Sequence, residues 1–481
     1  MWADMLNRRE FLRGVAGAAA LGAAGVELLA AVRRLPWEAF TRRLSGRVVL
    51  PGDRGYGEFA LPNNLRYSAL RPAGIAMCRS ARDVSASILW ARENGVPLVA
   101  RSGGHSYAGY STTSGLMIDM RQMNGVSVDD STGVATVGGG ARNGNVYEAF
   151  GNRSLAITHG RCPSVGVAGL TLGGGIGFNM RAHGLTCDHM VASEIVLADG
   201  TIRTLTGDDD LLWACRGAGG GNFGINTSFA FQTFDVGTIT VCDLVWDEQP
   251  ERVFATLAET LDRAPRTFGS KISAKAPTGS SGMQIELLGQ FTGTPAGLRE
   301  LLADAYAIAR PRGVVTMDSY WKAQQVLSEP GLAAYYQERS RFFDQEIDHR
   351  AVAVIFEWLR RYPKTAKSAE FKVFQTGGRV NDKKPGDTAF MHRQSRWLGA
   401  IDLYWEHDTP SATLRHNLEW LSGFYEAIVP IAKGGAYQNF IDPSLADWKT
   451  AYYGCNLERL EAIKKRVDPA GVFTSRESIP S

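Results

Sequence analysis

Two nucleophiles, a cysteine and a histidine, stand at glycine-rich stretches of this sequence. Cys162 lies in Arg161-Cys162-Pro163-Ser164-Val165-Gly166-Val167-Ala168-Gly169, and the run Gly173-Gly174-Gly175-Ile176-Gly177 follows closely. His105 lies in Arg101-Ser102-Gly103-Gly104-His105-Ser106-Tyr107, directly after the apolar run 96–100, which reads as a short buried strand. Glycines at this density let backbone N–H groups approach a ligand and adopt φ > 0 without steric cost. A cradle of exposed N–H groups suits a diphosphate or a flat polar ring. The thiol adds a reactivity that depends on thiolate character, which Arg161 and the amides after it are expected to favour. A third glycine stretch, Arg216-Gly217-Ala218-Gly219-Gly220-Gly221-Asn222-Phe223-Gly224-Ile225, reads either as another ligand loop or as a tight turn between strands.

These loops need elements to hold them. Residues 81–94 predict a helix with apolar spacing at Val84, Ile88 and Leu89, and residues 143–150 predict another. Strands are expected over 116–119, 133–137 and 190–197, the last entering the turn Ala198-Asp199-Gly200. Many short strands with few long helices indicate an α+β domain rather than a doubly wound parallel sheet. From about residue 235 to 434 the glycine clusters thin out, aromatic residues increase, and a longer helix is expected over 296–310. Strand-like runs there cover 283–291, 371–376 and 398–405.

At 481 residues the chain is too long for one small core. The 54 glycines cluster rather than repeat, which excludes a fibrous array. A net charge of +3 gives no reason to invoke nucleic acid or an acidic membrane. Six cysteines show no C-x-x-C spacing, and no His, Asp or Glu cluster has the spacing of a metal site, so no metal is expected. Apart from Cys162, the cysteines read as buried free thiols. At the N-terminus, Asn7-Arg8-Arg9-Glu10-Phe11-Leu12-Arg13 matches the twin-arginine export pattern and precedes an alanine-rich apolar run from Gly14 to Val32. That route carries folded proteins, so the expected location is periplasmic or extracellular.

Taken together, the two motifs and their separation resemble the berberine bridge enzyme-like branch of the flavin-linked oxidases, with the vanillyl-alcohol oxidase fold. The resemblance runs from about Arg47 to Ile479. It implies a two-domain α+β fold of the PCMH type: a leader over 1–46, an FAD-binding domain over 47–234, an antiparallel-sheet substrate domain over 235–434, and a segment over 435–481 that completes the FAD domain. It implies FAD bonded covalently to His105 and Cys162. Arg101, Ser102, Gly103, Gly104, Ser106, Val165, Gly166, Gly169, Gly173, Gly174, Gly175, Gly177, Gly221, Asn222, Phe223, Gly224, Ile225 and Asn439 are then the other cofactor-contacting residues. Val165 matches the small residue that in this family accompanies oxygen access.

Tyr437, in Tyr437-Gln438-Asn439, matches the family's Y-x-N tyrosine and is the expected catalytic base; its ordinary value near ~10 needs a nearby cation or hydrogen-bond donor to lower it. Asp402 is the second candidate, as a base or a partner of Tyr437. Ala400 and Thr376 stand where some relatives place a glutamate and a second tyrosine. The implied activity is oxidation of an alcohol on a sugar or secondary metabolite, with hydride transfer to the flavin and molecular oxygen as acceptor. A dehydrogenase with another acceptor and an exported flavoprotein without turnover remain open at this point.

Overall fold

The structure, a computed structural model, describes residues 35–276 and 282–481; the twin-arginine stretch and the apolar run after it lie outside them. The first sheet has four strands in the order Arg47–Val49, Gly74–Met77, Leu116–Asp119, Leu98–Arg101. The last three strands run parallel and the first is antiparallel. Between two of them runs the helix Ala81–Glu93. Ser80 caps it by accepting from the Asp83 amide at 3.2 Å, and Val84, Ile88, Trp90 and Ala91 turn inward. The next sheet is antiparallel throughout and has five strands, in the order Val126–Asp129, Val134–Gly138, Ile225–Gln232, Met190–Val196, Ile202–Thr206. The first glycine stretch leaves the end of Leu98–Arg101, the second surrounds the short helix Val167–Leu172, and the third leads from the helix Asp210–Cys215 into Ile225–Gln232.

The third large sheet has seven strands, all antiparallel: Arg312–Ser319, Thr238–Trp246, Gln284–Phe291, Phe268–Lys275, Ser368–Gln375, Trp397–Trp405, Tyr335–Phe343. The two-residue period of a strand gives this sheet two chemically different faces. In Ser368–Gln375, Phe371 packs against Phe254 and Phe424 of the covering helices Pro250–Asp262 and Ser411–Ala432. Glu370, Lys372 and Phe374 share the opposite face, turned toward the glycine loops. There the approach is backbone to backbone: a Cβ on Gly269 would lie 1.8 Å from the Phe178 carbonyl oxygen. The sheet therefore forms a roof over the loops, and the α+β, two-domain arrangement is the one expected.

The C-terminal segment returns beneath that roof. The ammonium of Lys464, on the helix Leu457–Val467, is buried and donates to the Asn222 carbonyl at 2.5 Å, to Asp468 at 2.7 Å and to the Phe473 carbonyl at 2.6 Å. The Ile479 amide donates to Asn222 Oδ1 at 3.0 Å. Two expectations need correction. The helix over 296–310 is two helices, Pro295–Leu301 and Ala303–Ile308, broken at the buried Leu302, whose φ of −95° and ψ of 9° leave α geometry. Cys455 is exposed; Cys78, Cys187, Cys215 and Cys242 are buried free thiols as expected.

Candidate active site

A cavity of about 610 Å³ lies between the glycine loops and the roof, within the size range of cofactor and ligand sites. Ser102, Gly103, Gly104, His105 and Ser106 line it from the first loop, and Cys162, Val165, Gly166, Gly169 and Gly177 from the second. Gly221, Asn222, Gly224 and Ile225 line it from the third, and Tyr437 and Asn439 from the C-terminal segment. The first two loops interlock through glycine. A Cβ on Gly103 would lie 2.2 Å from the Gly166 nitrogen, and one on Gly166 would lie 2.3 Å from the Gly103 nitrogen.

This contact brings the two nucleophiles to one spot. Both the Cys162 Cβ and the His105 ring lie within 3.4 Å of the point that a side chain on Gly331 would occupy. Asn63 Nδ2 holds the Gly331 carbonyl at 2.9 Å and so fixes this covering loop. Burial, with a smaller push from Arg142, lowers His105 to about 4, so its imidazole is neutral and keeps a free ring lone pair. Cys162 differs from expectation. Burial raises its thiol and outweighs Arg161, whose guanidinium is already paired with Glu329 at 3.0 Å. Desolvation disfavours a thiolate more than one engaged cation favours it.

Tyr437 is buried, and its hydroxyl accepts from the Gly175 amide at 3.2 Å and from Asn439 Nδ2 at 3.0 Å. The second hydrogen of that amide goes to the Leu170 carbonyl at 2.9 Å, which fixes the Asn439 plane. Burial pushes the Tyr437 phenol up to about 12 despite these donors, which pull the other way. Hydrogen-bond donors of the kind expected for this tyrosine are present, but they do not bring its value below the ordinary one.

Asp402 does not line the cavity. Its carboxylate sits behind Lys372, whose ammonium bridges Asp402 at 2.5 Å and Glu338 at 3.1 Å and itself reaches the cavity. Asp402 lies opposite Glu338 on one neighbouring strand and Glu370 on the other. Burial and these two carboxylates hold its carboxyl well above the ordinary range, against the pull of Lys372. Lys372 stays cationic because the same acids outweigh its burial. Its hydrogen bond reaches the site through Lys372, its charge also bears on Tyr404 and Tyr336, and none of its hydrogen bonds goes to Tyr437.

Several residues assigned to the cofactor do other work. Arg101 is buried and donates to the carbonyls of Ser111, Phe59, Leu61 and Ala60, bracing the first loop from behind. Gly173, Gly174 and Gly175 do not line the cavity; their missing side chains make room for Asn439, Phe390 and Thr186. Phe223 is core. Two further polar residues near these loops are engaged elsewhere and do not line the cavity: His159 bonds to Tyr320 at 2.8 Å, and Asp188 is held by both terminal nitrogens of Arg393. Thr376 bonds to Ser395, and its carbonyl takes Arg181.

The roof contributes residues that motif reading passed over: Tyr336, Lys372, Phe374 and Tyr404, joined by Tyr107, Glu329 and Phe440. Tyr107 stacks on Phe440 at 5.1 Å and meets Tyr336 edge-on at 5.2 Å. A signal existed in Glu370-Phe371-Lys372-Val373-Phe374, where charges alternate with apolar residues along a strand.

The family model described as FAD binding domain matches residues 72–206, and that described as Berberine and berberine like matches 436–480. The FAD-linked oxidoreductase YgaK of Bacillus subtilis is 32% identical over 449 residues, covering 91% of this chain and 97% of that protein. The chain belongs to the berberine bridge enzyme-like FAD-linked oxidoreductases. Glucooligosaccharide oxidase of Sarocladium strictum is 30% identical, covering 85% of this chain and 87% of that one. The solved structure of Physcomitrella patens BBE-like 1 superposes with a TM-score of 0.82 at 27% identity, covering 92% of this chain and 99% of that one.

The cavity of this oxidoreductase fits FAD on its own evidence. Polar atoms of Ser102, Tyr110, Ser111, Asn143 and Gln438 are buried at its wall without a protein partner. Gly221, at φ +75, has nothing within 4 Å of its missing side chain. Unpaired buried groups around a glycine cradle are what a polar, phosphate-bearing ligand satisfies.

Proposed function

We propose that this protein is an oxidase of carbohydrate alcohol groups, with FAD held covalently through His105 and Cys162 and molecular oxygen as electron acceptor. The observation that carries the reading is that one cavity is lined by His105, Cys162 and the doubly hydrogen-bonded Tyr437. What bound FAD supplies is two-electron oxidation of the substrate alcohol and return of those electrons to oxygen as hydrogen peroxide. His105, neutral through burial, offers a ring nitrogen, and Cys162 offers sulfur beside it. Tyr437 accepts the hydroxyl proton of the substrate at its Oη, where the Gly175 and Asn439 N–H groups favour the phenolate. The rings of Tyr107, Tyr336, Tyr404, Phe374 and Phe440 suit the C–H faces of a pyranose, since the negative faces of aromatic rings attract polarised hydrogens. Lys372 is already paired with Glu338 and Asp402, which favours an uncharged sugar. Similarity to a glucooligosaccharide oxidase supports the same substrate class. We include export by the twin-arginine route in the proposal, on the Asn7–Arg13 pattern.

The test is where the yellow colour goes when the purified protein is precipitated in acid. Colour is expected in the wild-type pellet and in the pellets of His105→Ala and Cys162→Ala, and in the supernatant for the double variant. Colour in the wild-type supernatant would end the covalent reading. For the acceptor, a neutral oligosaccharide is expected to bleach the flavin anaerobically, and air to restore it with release of peroxide; bleaching that persists in air points instead to a dehydrogenase.

A further inference from the structure

Glu477 is a buried carboxylate that the oxidation chemistry leaves unused. It is 2% exposed and lines the cavity, and neither of its oxygens has a hydrogen-bond partner in the protein. The guanidinium of Arg476 stays 3.7 Å away, on a side chain that is 73% exposed. Tyr67 lies near enough for its phenol to sense the Glu477 charge. An unpaired carboxylate inside a protein is costly, and its oxygens call for N–H or O–H donors. Burial lifts this carboxyl to about 7, against a smaller pull from its own backbone amide.

The position of Glu477 says which donors. Ile479, two residues on, is tied to Asn222 of the third glycine loop. Phe473, four residues back, packs in the core of the first sheet with Leu98, Met120 and Ile225. Cys162 belongs with a different group: it senses Arg161, Glu329 and Lys372, and Arg161 lies over the Phe374 ring at 5.1 Å. A dinucleotide whose flavin ring sits at His105 and Cys162 must run its other half away from them, toward the third loop and the C-terminal coil. We propose that the Glu477 carboxylate accepts hydrogen bonds from the adenosine half of bound FAD. The ribose of that half carries two adjacent hydroxyls, a pair of donors matched to a two-oxygen acceptor. The inference rests on the FAD reading above and extends it to the end of the cavity remote from the chemistry.

The test uses the sign of a stability change. Without flavin, Glu477 has a value raised above its ordinary 4.5, so the stability of its neutral form is lost as pH rises toward 7, and at pH 8 a bare charge is buried. Glu477→Gln removes that charge and is expected to raise the Tm of flavin-free protein, from riboflavin-starved expression, at pH 8. In flavin-loaded protein the carboxylate has its donors, and the same substitution is expected to lower Tm by about 2–4 °C. Glu477→Ala is expected to reduce flavin per protein several-fold. A Tm of the loaded protein that rises or stays the same in Glu477→Gln overturns the proposal. Phosphodiesterase digestion of the acid-denatured loaded protein should release AMP. Absence of AMP removes the FAD reading and this proposal with it, whereas AMP together with a raised Tm removes this proposal alone.

Discussion

Tyr437 keeps its proton at neutral pH, because burial holds its phenol at about 12 while the Asn439 amide and the backbone amides of Gly175 and Ile176 pull it down. As base, it therefore works from a scarce ionised form. In the wild type, log kcat/KM for peroxide release is expected to climb between pH 6 and 9. In Tyr437→Phe it should be flat and lower by about 10²–10⁴-fold, the range for loss of a general base. The stability sign keeps this profile interpretable. The folded value lies above the ordinary 10.0, so ionisation costs stability only above that pH, outside the assay. A Phe variant with the wild-type slope would move the proton-accepting role elsewhere. Lys372 holds three donor hydrogens and stays cationic, so it cannot take that role. Asp402, screened behind it, orients Lys372 rather than touching substrate.

At the scale of elements, the site depends on two loops lying backbone against backbone. The atoms nearest a Cβ on Gly103 are Gly166 N at 2.2 Å, Gly166 Cα at 2.8 Å and the Ser164 carbonyl oxygen at 2.9 Å. None is the far end of a flexible side chain, so Gly103→Ala must push the loops apart, at about 1–3 kcal/mol for overpacking. Lower Tm and loss of acid-stable colour are expected together, since His105 and Cys162 separate with the loops. Gly57→Ala, where nothing lies within 4 Å, should change neither. Unchanged colour in Gly103→Ala would mean that the interlock does not set the attachment geometry. The glycine loops were legible in the sequence because glycine density has a direct steric meaning, as were the helices over 81–94 and 143–150 from their periodicity. The sheet of the roof was expected, but the side chains it presents were not, because Lys372, Tyr336 and Tyr404 lie on different strands and converge only through strand order. Nor was the environment of Cys162, since sequence reveals Arg161 beside the thiol but not the Glu329 that occupies it.

At the scale of the whole molecule, the cavity is closed by segments from every part of the described chain. His105 and Cys162 come from the loops, Gly331 and Lys372 from the roof and its connections, and Tyr437 and Glu477 from the returning C-terminal segment. A chain still extended has none of these together, so the covalent attachment proposed above would follow folding rather than precede it. A route that moves folded protein is then compatible with loading before export, whereas threading an unfolded chain is not. Replacing Arg8 and Arg9 together by lysine is expected to leave the full-length protein inside the cell, with acid-stable yellow colour and the peroxide-forming activity of the exported wild type. The measurement is flavin per protein in cytoplasmic and exported fractions of both strains. Retained protein without covalent flavin would show that attachment needs the exterior, and would separate the export pattern from the loading order argued here. Unaltered export would remove the twin-arginine assignment while leaving the site as described.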